Sequence, residues 1–385
     1  MTGMGIEFAE RTRRIPVYPV AAGYDLGDDV AMLASNEAPF GPSPEVLAAV
    51  SRAVAGANRY PDPSYSNLRR ALAERHDIPA SRIALGNGSA DILIAAGEAL
   101  LEPGAELVYA WPSFSVYEHL PAASGARAIR VPLDADMCHD LDAMAAEVTV
   151  STRLVLICNP NNPTSTALEL DGVRALLQRV PRHVCVILDE AYCEFSLTAG
   201  DPQASVELLR HWPNLVILRT FSKVYGLAGL RVGYGLCGSE EFRTAVEQVR
   251  QPFYVNAAAQ AAAVEALRHQ DEVERRVAAT VAARIGMVDA VRSFGLWVAQ
   301  SDANFIWLHL DDAVDGWTAR QERAFDDCDT ALAAFERDVI DGLRGRGVLV
   351  RAGAALGRAG AMRVTVGTEA ECARFTAALR DLIAA

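Results

Sequence analysis

The sequence predicts an α/β fold: a large domain with a mostly parallel sheet covered by helices, and a smaller α+β domain behind it. Three observations predict it. Apolar runs at 153–158, 184–188 and 215–219 recur about 30 residues apart, the length of one strand–helix–strand unit. Each run is apolar throughout, as strands buried on both faces are. The 385 residues exceed what one core usually holds, and beyond residue 240 the composition shifts. We therefore expect an N-terminal arm and loop over 1–45, a large domain over 46–270 and a small C-terminal domain over 271–385.

Taken in order, residues 1–30 read as an irregular arm, because I-P-V-Y-P-V breaks any helix. The loop M-L-A-S-N-E-A-P-F-G-P-S-P (32–44) leads into a helix near Glu45, and N-R-Y-P-D-P-S-Y-S (58–66) precedes a helix over 67–76. R-I-A-L (82–85) is a short strand, G-N-G-S-A (86–90) a tight turn and 91–101 a helix. Runs at 106–110 and 128–131 add strands, and helices near 167–180 and 203–212 separate the three phased runs. Residues 256–293 read as a long Ala-rich connector, helical apart from Gly286. Strands at 304–310, 347–351 and 362–366, with helices near 331–344 and 369–384, make the small domain. Residues 311–329 carry six aspartates and one glutamate and read as a solvated surface insertion.

Composition excludes several functions. Net charge is −13 with no Lys/Arg-rich run, which argues against nucleic acid and anionic membrane surfaces. Seven cysteines form no C-x-x-C pair, and with seven scattered histidines they offer no zinc spacing, so no metal is expected. The N-terminus lacks the apolar core of a signal peptide, and no apolar run reaches a membrane span. A cytoplasmic enzyme or binding protein is the expectation.

One residue stands out. Of the 36 Lys+Arg, 35 are arginine and the remaining one is Lys223. An arginine cannot replace a lysine that must lose its proton and attack a carbonyl, so Lys223 is a candidate imine-forming nucleophile. Its neighbours test the idea. Ligands of open parallel sheets bind at the carboxyl ends of the strands. The three phased runs are followed by N-P-N-N-P-T, D-E-A-Y and T-F-S-K. An amide-rich loop, a carboxylate and the lone lysine thus share one sheet edge. A lysine beside a carboxylate and an anion cradle suits pyridoxal 5'-phosphate. Asp189 is the candidate for the pyridine nitrogen, with a helix cap or turn as its structural alternative. The turn before residue 91 offers N–H groups to the phosphate, and Ser222 and Arg231 flank the lysine. Phe114 is either a ring-stacking group or a core aromatic.

In this order, N-P-N-N-P-T, D-E-A-Y, F-S-K-x-x-G-L-A-G-L-R-x-G-Y and M-R-V-T-V-G-T resemble a fold-type-I aminotransferase. With L-A-S-N-E-A-P-F-G-P-S-P and R-Y-P-D, the chain resembles the histidinol-phosphate aminotransferase family over nearly its whole length. The resemblance implies pyridoxal 5'-phosphate held as an imine on Lys223, which also shuttles the proton. It implies Asp189 at the pyridine nitrogen, Asn162 and Tyr192 at the phenolic oxygen, and Ser89, Ala90, Ser222 and Arg231 at the phosphate. Tyr60 would reach that phosphate from a neighbouring subunit, so a homodimer is implied. Arg363 would bind an acidic substrate end, and Arg351, Tyr18 and Asn36 would complete the substrate site. Three positions depart from the family pattern: Ala38 in N-E-A-P, Ala90 after G-S, and Ser165 after N-N-P-T.

The implied reaction transfers an amino group between an amino donor and a 2-oxo acid, with histidinol phosphate and 2-oxoglutarate expected first. An aromatic or other amino acid is the near alternative, and a threonine-phosphate-type decarboxylase changes the bond broken. A non-catalytic regulator is the remaining class, disfavoured because the chain has no room or charge for a DNA-binding domain.

Overall fold

The structure is a computed structural model that describes residues 6–17, 29–320, 325 and 327–384. Strand β1 (Ala31–Met32) lies apart from the main sheet. That sheet comprises β2 (Ile83–Gly86), β3 (Glu106–Trp111), β4 (Arg127–Pro132), β5 (Thr152–Cys158), β6 (Cys185–Asp189), β7 (Leu215–Thr220) and β8 (Gly233–Cys237). Its order is β2-β8-β7-β6-β5-β3-β4. Strands β3 to β7 are parallel, and β8 runs antiparallel between β2 and β7.

The sequence dictates this layering through alternation. Val155, Ile157, Val186 and Leu188 enter one apolar core, while Leu154, Leu156 and Ile187 enter another on the opposite face. Both faces are therefore apolar and must be covered by helices. Each such fully buried side chain contributes roughly 1.5–3 kcal/mol. The chain passes from β3 outward to β4 and then returns to place β5 on the other edge of β3. That reversal is the switch point where open α/β sheets hold ligands.

The second core is built on β9 (Phe305–His309), β10 (Val348–Leu349), β11 (Arg351–Ala352) and β12 (Ala361–Thr365). The antiparallel order is β11-β12-β9, whereas β10 pairs in parallel with β1, Ala31 opposite Val348. Run 347–351 is thus two strands with different partners. Ala31 and Leu33 consequently pack with Ile306, Phe335, Val364 and Phe375.

Other expectations need correction. The arm is not wholly irregular: Glu10–Arg14 is a short helix, and Arg14 Nε donates to the Ala122 carbonyl at 3.3 Å. The connector is two helices, Ala257–Ala266 and Gln270–Ser293. It breaks at 267–269, where tightened turns end the first helix, and Gly286 sits inside the second with open space around it. The second helix spans both cores, Val273 and Val277 on the first, Met287 and Val291 in the second. The acidic stretch is not simply solvated. Asp311–Ala319 is a helix that buries Val314 and Trp317, and the Trp317 ring stacks on Phe335 with centroids 5.1 Å apart. Its aspartates occupy the polar side of an amphipathic helix. Among the described residues, no helix is long and apolar enough to cross a membrane, and no three His, Cys, Asp or Glu cluster as metal ligands.

Candidate active site

A cavity of about 450 Å³ opens where the carboxyl ends of β3, β5, β6 and β7 meet β11 and β12. Twelve of the residues singled out from the sequence line it: Asn36, Ser89, Ala90, Phe114, Asn162, Asp189, Tyr192, Ser222, Lys223, Arg231, Arg351 and Arg363. Tyr60 does not. It lies in a separate surface depression, 81 % exposed, stacked on Phe253 with centroids 4.6 Å apart. Tyr18 falls outside the described residues.

Lys223 follows the end of β7 by three residues. Its Nζ donates to the Ser35 carbonyl at 3.2 Å and lies 5.5 Å from the centre of the Tyr192 ring. Burial brings its pKa down to about 7, and the Arg363 guanidinium pushes the same way. The amine is therefore half neutral near physiological pH, a state in which it is both nucleophile and base. Asp189 ends β6, in register with Cys158 on one side and Leu218 on the other. Strand alternation separates D-E-A-Y into two roles. Asp189 lines the cavity, while buried Glu190 turns away and pairs with buried Arg219 at 2.8 Å. One Asp189 oxygen accepts from Tyr117 Oη–H at 3.2 Å, the other from the Ala191 N–H at 3.3 Å. Burial pushes its carboxyl up to about 6 against those bonds.

A hydrogen-bond chain runs across the cavity wall. Arg363 Nη1 donates to Asn162 Oδ1 at 2.6 Å, and Asn162 Nδ2 donates to Tyr192 Oη at 3.4 Å. Asn36 Nδ2 donates to the same phenol at 3.1 Å, and burial raises the Tyr192 pKa against that bond and the nearby Arg363 charge. Arg363 Nη2 also donates to the Ala34 carbonyl at 2.6 Å. Asn36 is held in turn through its N–H on Thr365 Oγ1 at 2.9 Å and its carbonyl on Asn304 Nδ2 at 3.1 Å.

The opposite end suits an anion. Helix Ser89–Leu100 begins at the cavity with no side-chain cap, its N-cap Gly88 at φ +82. A Cβ on Gly88 would stand 2.6 Å from Arg231 Nη2, so the guanidinium packs directly on this turn. Arg231, itself at φ +58, donates to the Ala228 and Asn87 carbonyls at 2.9 and 3.2 Å. Ser222 Oγ accepts from Thr220 Oγ1–H at 2.9 Å, putting a second hydroxyl beside it. Helix N–H groups, a hydroxyl pair and a guanidinium together could cradle a phosphate.

These groups fit pyridoxal 5'-phosphate. The uncapped helix start and Arg231 match its phosphate, a buried carboxylate its pyridine nitrogen, the Asn–Tyr pair its phenolic oxygen, and a near-neutral amine its aldehyde. At the other end, β11 and β12 place Arg351 directly opposite Arg363, which puts two cations on one wall.

Sequence reasoning missed three contributors. Tyr117, three residues after Phe114, reads as a core aromatic yet supports Asp189. Ser35 acts through its carbonyl, which no side-chain motif reveals. Leu356 enters from the turn between β11 and β12. The three departures are harmless to the geometry. Ala38 lines a neighbouring depression, Ala90 faces the cavity at a helix start, and buried Ser165 adopts φ +61. That left-handed backbone is one glycine adopts more readily than serine.

The model of the family "Aminotransferase class I and II" matches residues 28–379. The chain is 47% identical over 296 residues to an aromatic amino acid aminotransferase of Thermobifida fusca, covering 76% of this chain and 81% of that protein. It is 40% identical over 370 residues to histidinol-phosphate aminotransferase 2 of Ralstonia nicotianae, covering 96% and 93%. The crystal structure of histidinol-phosphate aminotransferase from Sinorhizobium meliloti in complex with pyridoxal-5'-phosphate superposes with a TM-score of 0.83 at 27% identity, over 100% of this chain and 99% of that one.

Proposed function

Since the chain belongs to the class I and II aminotransferase family and is pyridoxal 5'-phosphate-dependent, we propose that it moves an amino group between L-glutamate and a substrate carrying a flat ring. An aromatic amino acid and its 2-oxo acid are the first reading of that substrate.

The reading stands on the Arg351–Arg363 pair. Arg351 and Arg363 stand opposite each other on neighbouring strands and both line the cavity. Guanidinium forks match carboxylates, so the pair suits a substrate with two anionic ends, such as glutamate. The ring half rests on Phe114 and Leu356 in the cavity wall, and on aromatic aminotransferase relatives at 41–47% identity. Histidinol phosphate is the second reading. Arg351 suits its phosphate equally, and the relative with that name matches 96% of the chain.

Bound pyridoxal phosphate supplies an electron-withdrawing ring that takes up the electron pair left at the substrate's Cα. Everything else falls to side chains of the protein. Lys223 Nζ would take the proton from the substrate's Cα and return it to the carbon on the far side of the substrate nitrogen, both within its reach. Asp189 accepts from the ring's N–H and keeps it protonated. Asn162 and Tyr192 hydrogen-bond the phenolic oxygen, with Asn36 behind Tyr192. The cradle of Ser89, Ala90, Ser222 and Arg231 fixes the phosphate. Arg363 orients the α-carboxylate, and Arg351 meets the distal anion. Exposed Tyr60 suits a role in trans: the partner subunit's Tyr60 completes the phosphate site, making the enzyme a homodimer.

Half-reactions test this. The yellow holoenzyme is mixed with glutamate, phenylalanine, tyrosine, tryptophan or histidinol phosphate, and the loss of cofactor absorbance is followed. Glutamate and an aromatic donor are expected to bleach it, and Lys223→Arg to abolish bleaching. Failure of glutamate removes the reading. A larger kcat/KM for histidinol phosphate than for every aromatic donor installs the second one. Carbon dioxide release from phosphothreonine points instead to decarboxylation. Mixing Tyr60→Ala subunits, weakened in cofactor binding, with inactive Lys223→Ala subunits should raise activity above that of Tyr60→Ala alone if the site is shared.

A further inference from the structure

We propose that Glu336 is a positioning residue for the substrate. It holds the turn between β11 and β12 so that Leu356, Arg351 and Arg363 present one fixed surface to the bound side chain. This rests on the reading of the two arginines as anion sites. Arg351 and Arg363 flank the turn 353–360, and Leu356 at its tip both lines the cavity and packs on Trp307 and Ala361. The turn is internally ordered, with a 3-10 helix over Ala354–Leu356 and the Leu356 and Arg358 N–H groups both donating to the Gly353 carbonyl, so what remains to be set is where this unit sits against the cavity.

Glu336 sets it from below. It lies on helix Cys328–Gly345, 2% exposed. One oxygen accepts from the Ala354 N–H at 3.0 Å and the other from the Gly360 N–H at 2.6 Å, one at each end of the turn. An ionised carboxylate is acceptor on both oxygens, and such charge-assisted bonds are the strong ones. Glutamine offers one acceptor and cannot serve both N–H groups. Burial raises the carboxyl's pKa, so the site retains an acid at a desolvation cost that surrounding backbone N–H groups offset. One helical turn earlier, Leu332 packs so tightly on Gly360 (φ +72) that a Cβ there would stand 2.2 Å from it.

From above, Gly357 (φ +100) abuts Trp111 and Pro112 at the end of β3, where a Cβ would stand 3.0 Å from the indole. At the rim Arg358 pairs with Asp311 at 3.0 and 3.2 Å. Asp311 opens the acidic stretch, whose helix also braces Phe335, the neighbour of Glu336, through Trp317. The acidic stretch and Glu336 thus form one support for the substrate end of the cavity.

The experiment compares holoenzymes carrying Glu336→Ala and Glu336→Gln with wild type. Three quantities are read: Kd for succinate by calorimetry, KM and kcat for glutamate, and Tm. For Glu336→Ala we expect succinate Kd and glutamate KM to rise roughly tenfold, with kcat within twofold, as for loss of two charge-assisted hydrogen bonds that act through binding. Glu336→Gln should rise about threefold, and it keeps the test alive if the alanine variant does not fold. A lower Tm with unchanged Kd and KM means a purely structural residue and overturns the proposal, as does a fall in kcat alone. If wild type binds succinate but ignores ring-bearing donors, the proposed function fails while the Kd comparison still judges Glu336. A wild type that does not bind succinate sinks both.

Discussion

Asp189→Asn should stabilise the cofactor-free protein and disable the loaded one. In the folded chain the carboxyl titrates near 6, against an ordinary value of 3.8, chiefly because it is buried. A raised folded pKa favours the protonated form. Its contribution is therefore complete below pH 3.8 and lost as pH rises to about 6. The difference is about two units, or roughly 3 kcal/mol of cost to the apoprotein at pH 7–8. Asparagine removes the charge and keeps an acceptor for the Ala191 N–H. Apo Asp189→Asn should thus be more stable than apo wild type at pH 8, by up to ~3 kcal/mol, and equal to it near pH 4. In the holoenzyme the same change removes one partner of a buried ion pair with the pyridinium. That loss is worth about 3–5 kcal/mol, so half-reactions should slow by roughly 10²–10⁴-fold. Calorimetry of the apoproteins from pH 4 to 8 and stopped-flow bleaching by glutamate are the assays. Equal apoprotein stabilities at pH 8, or a rate within tenfold of wild type, would refute the reasoning.

Two further outcomes follow from the same geometry. Capture of pyridoxal 5'-phosphate by the apoprotein requires a neutral Lys223 amine, whose pKa is about 7. Its second-order rate should climb about tenfold per pH unit below 7 and level off above, whereas an ordinary lysine would keep climbing towards 10.4. Gly88→Ala forces a left-handed backbone on alanine and drives Arg231 out of the cradle. We expect a loss of about 1–2 kcal/mol of stability and cofactor binding weakened about tenfold, read by fluorescence titration of the apoprotein.

Much of this was legible because it is local. Runs 153–158, 184–188 and 215–219 are apolar on both faces, so strand and burial can be read together. Lys223 stood out because the other 35 Lys/Arg positions are all arginine. What stayed hidden depends on tertiary partners. β8, G-Y-G-L-C, carries too little apolar bulk to announce a strand, yet Gly233 lets it pass close to Gly88 and Ser89. The break at 267–269 contains neither Gly nor Pro, so the pattern pointed to Gly286 instead. Trp317 was lost among aspartates, and Glu336 looks like any helix-surface acid until its two N–H partners are known. The facing of Arg351 and Arg363 is a register, and register exists only once strands have paired.

The pairing of β1 with β10 ties one wall of the cavity to the far end of the chain. The Ser35 carbonyl that accepts from Lys223, and the Asn36 that braces Tyr192, are set in place by Val348, Arg363 and Thr365, the last 329 residues farther along the chain. Domains begin folding from the N-terminus while synthesis continues. A ribosome that has finished the main sheet has therefore made Lys223 and Asp189 but not the wall around them. Chains truncated before residue 348 would lack every one of these supports for Ser35 and Asn36.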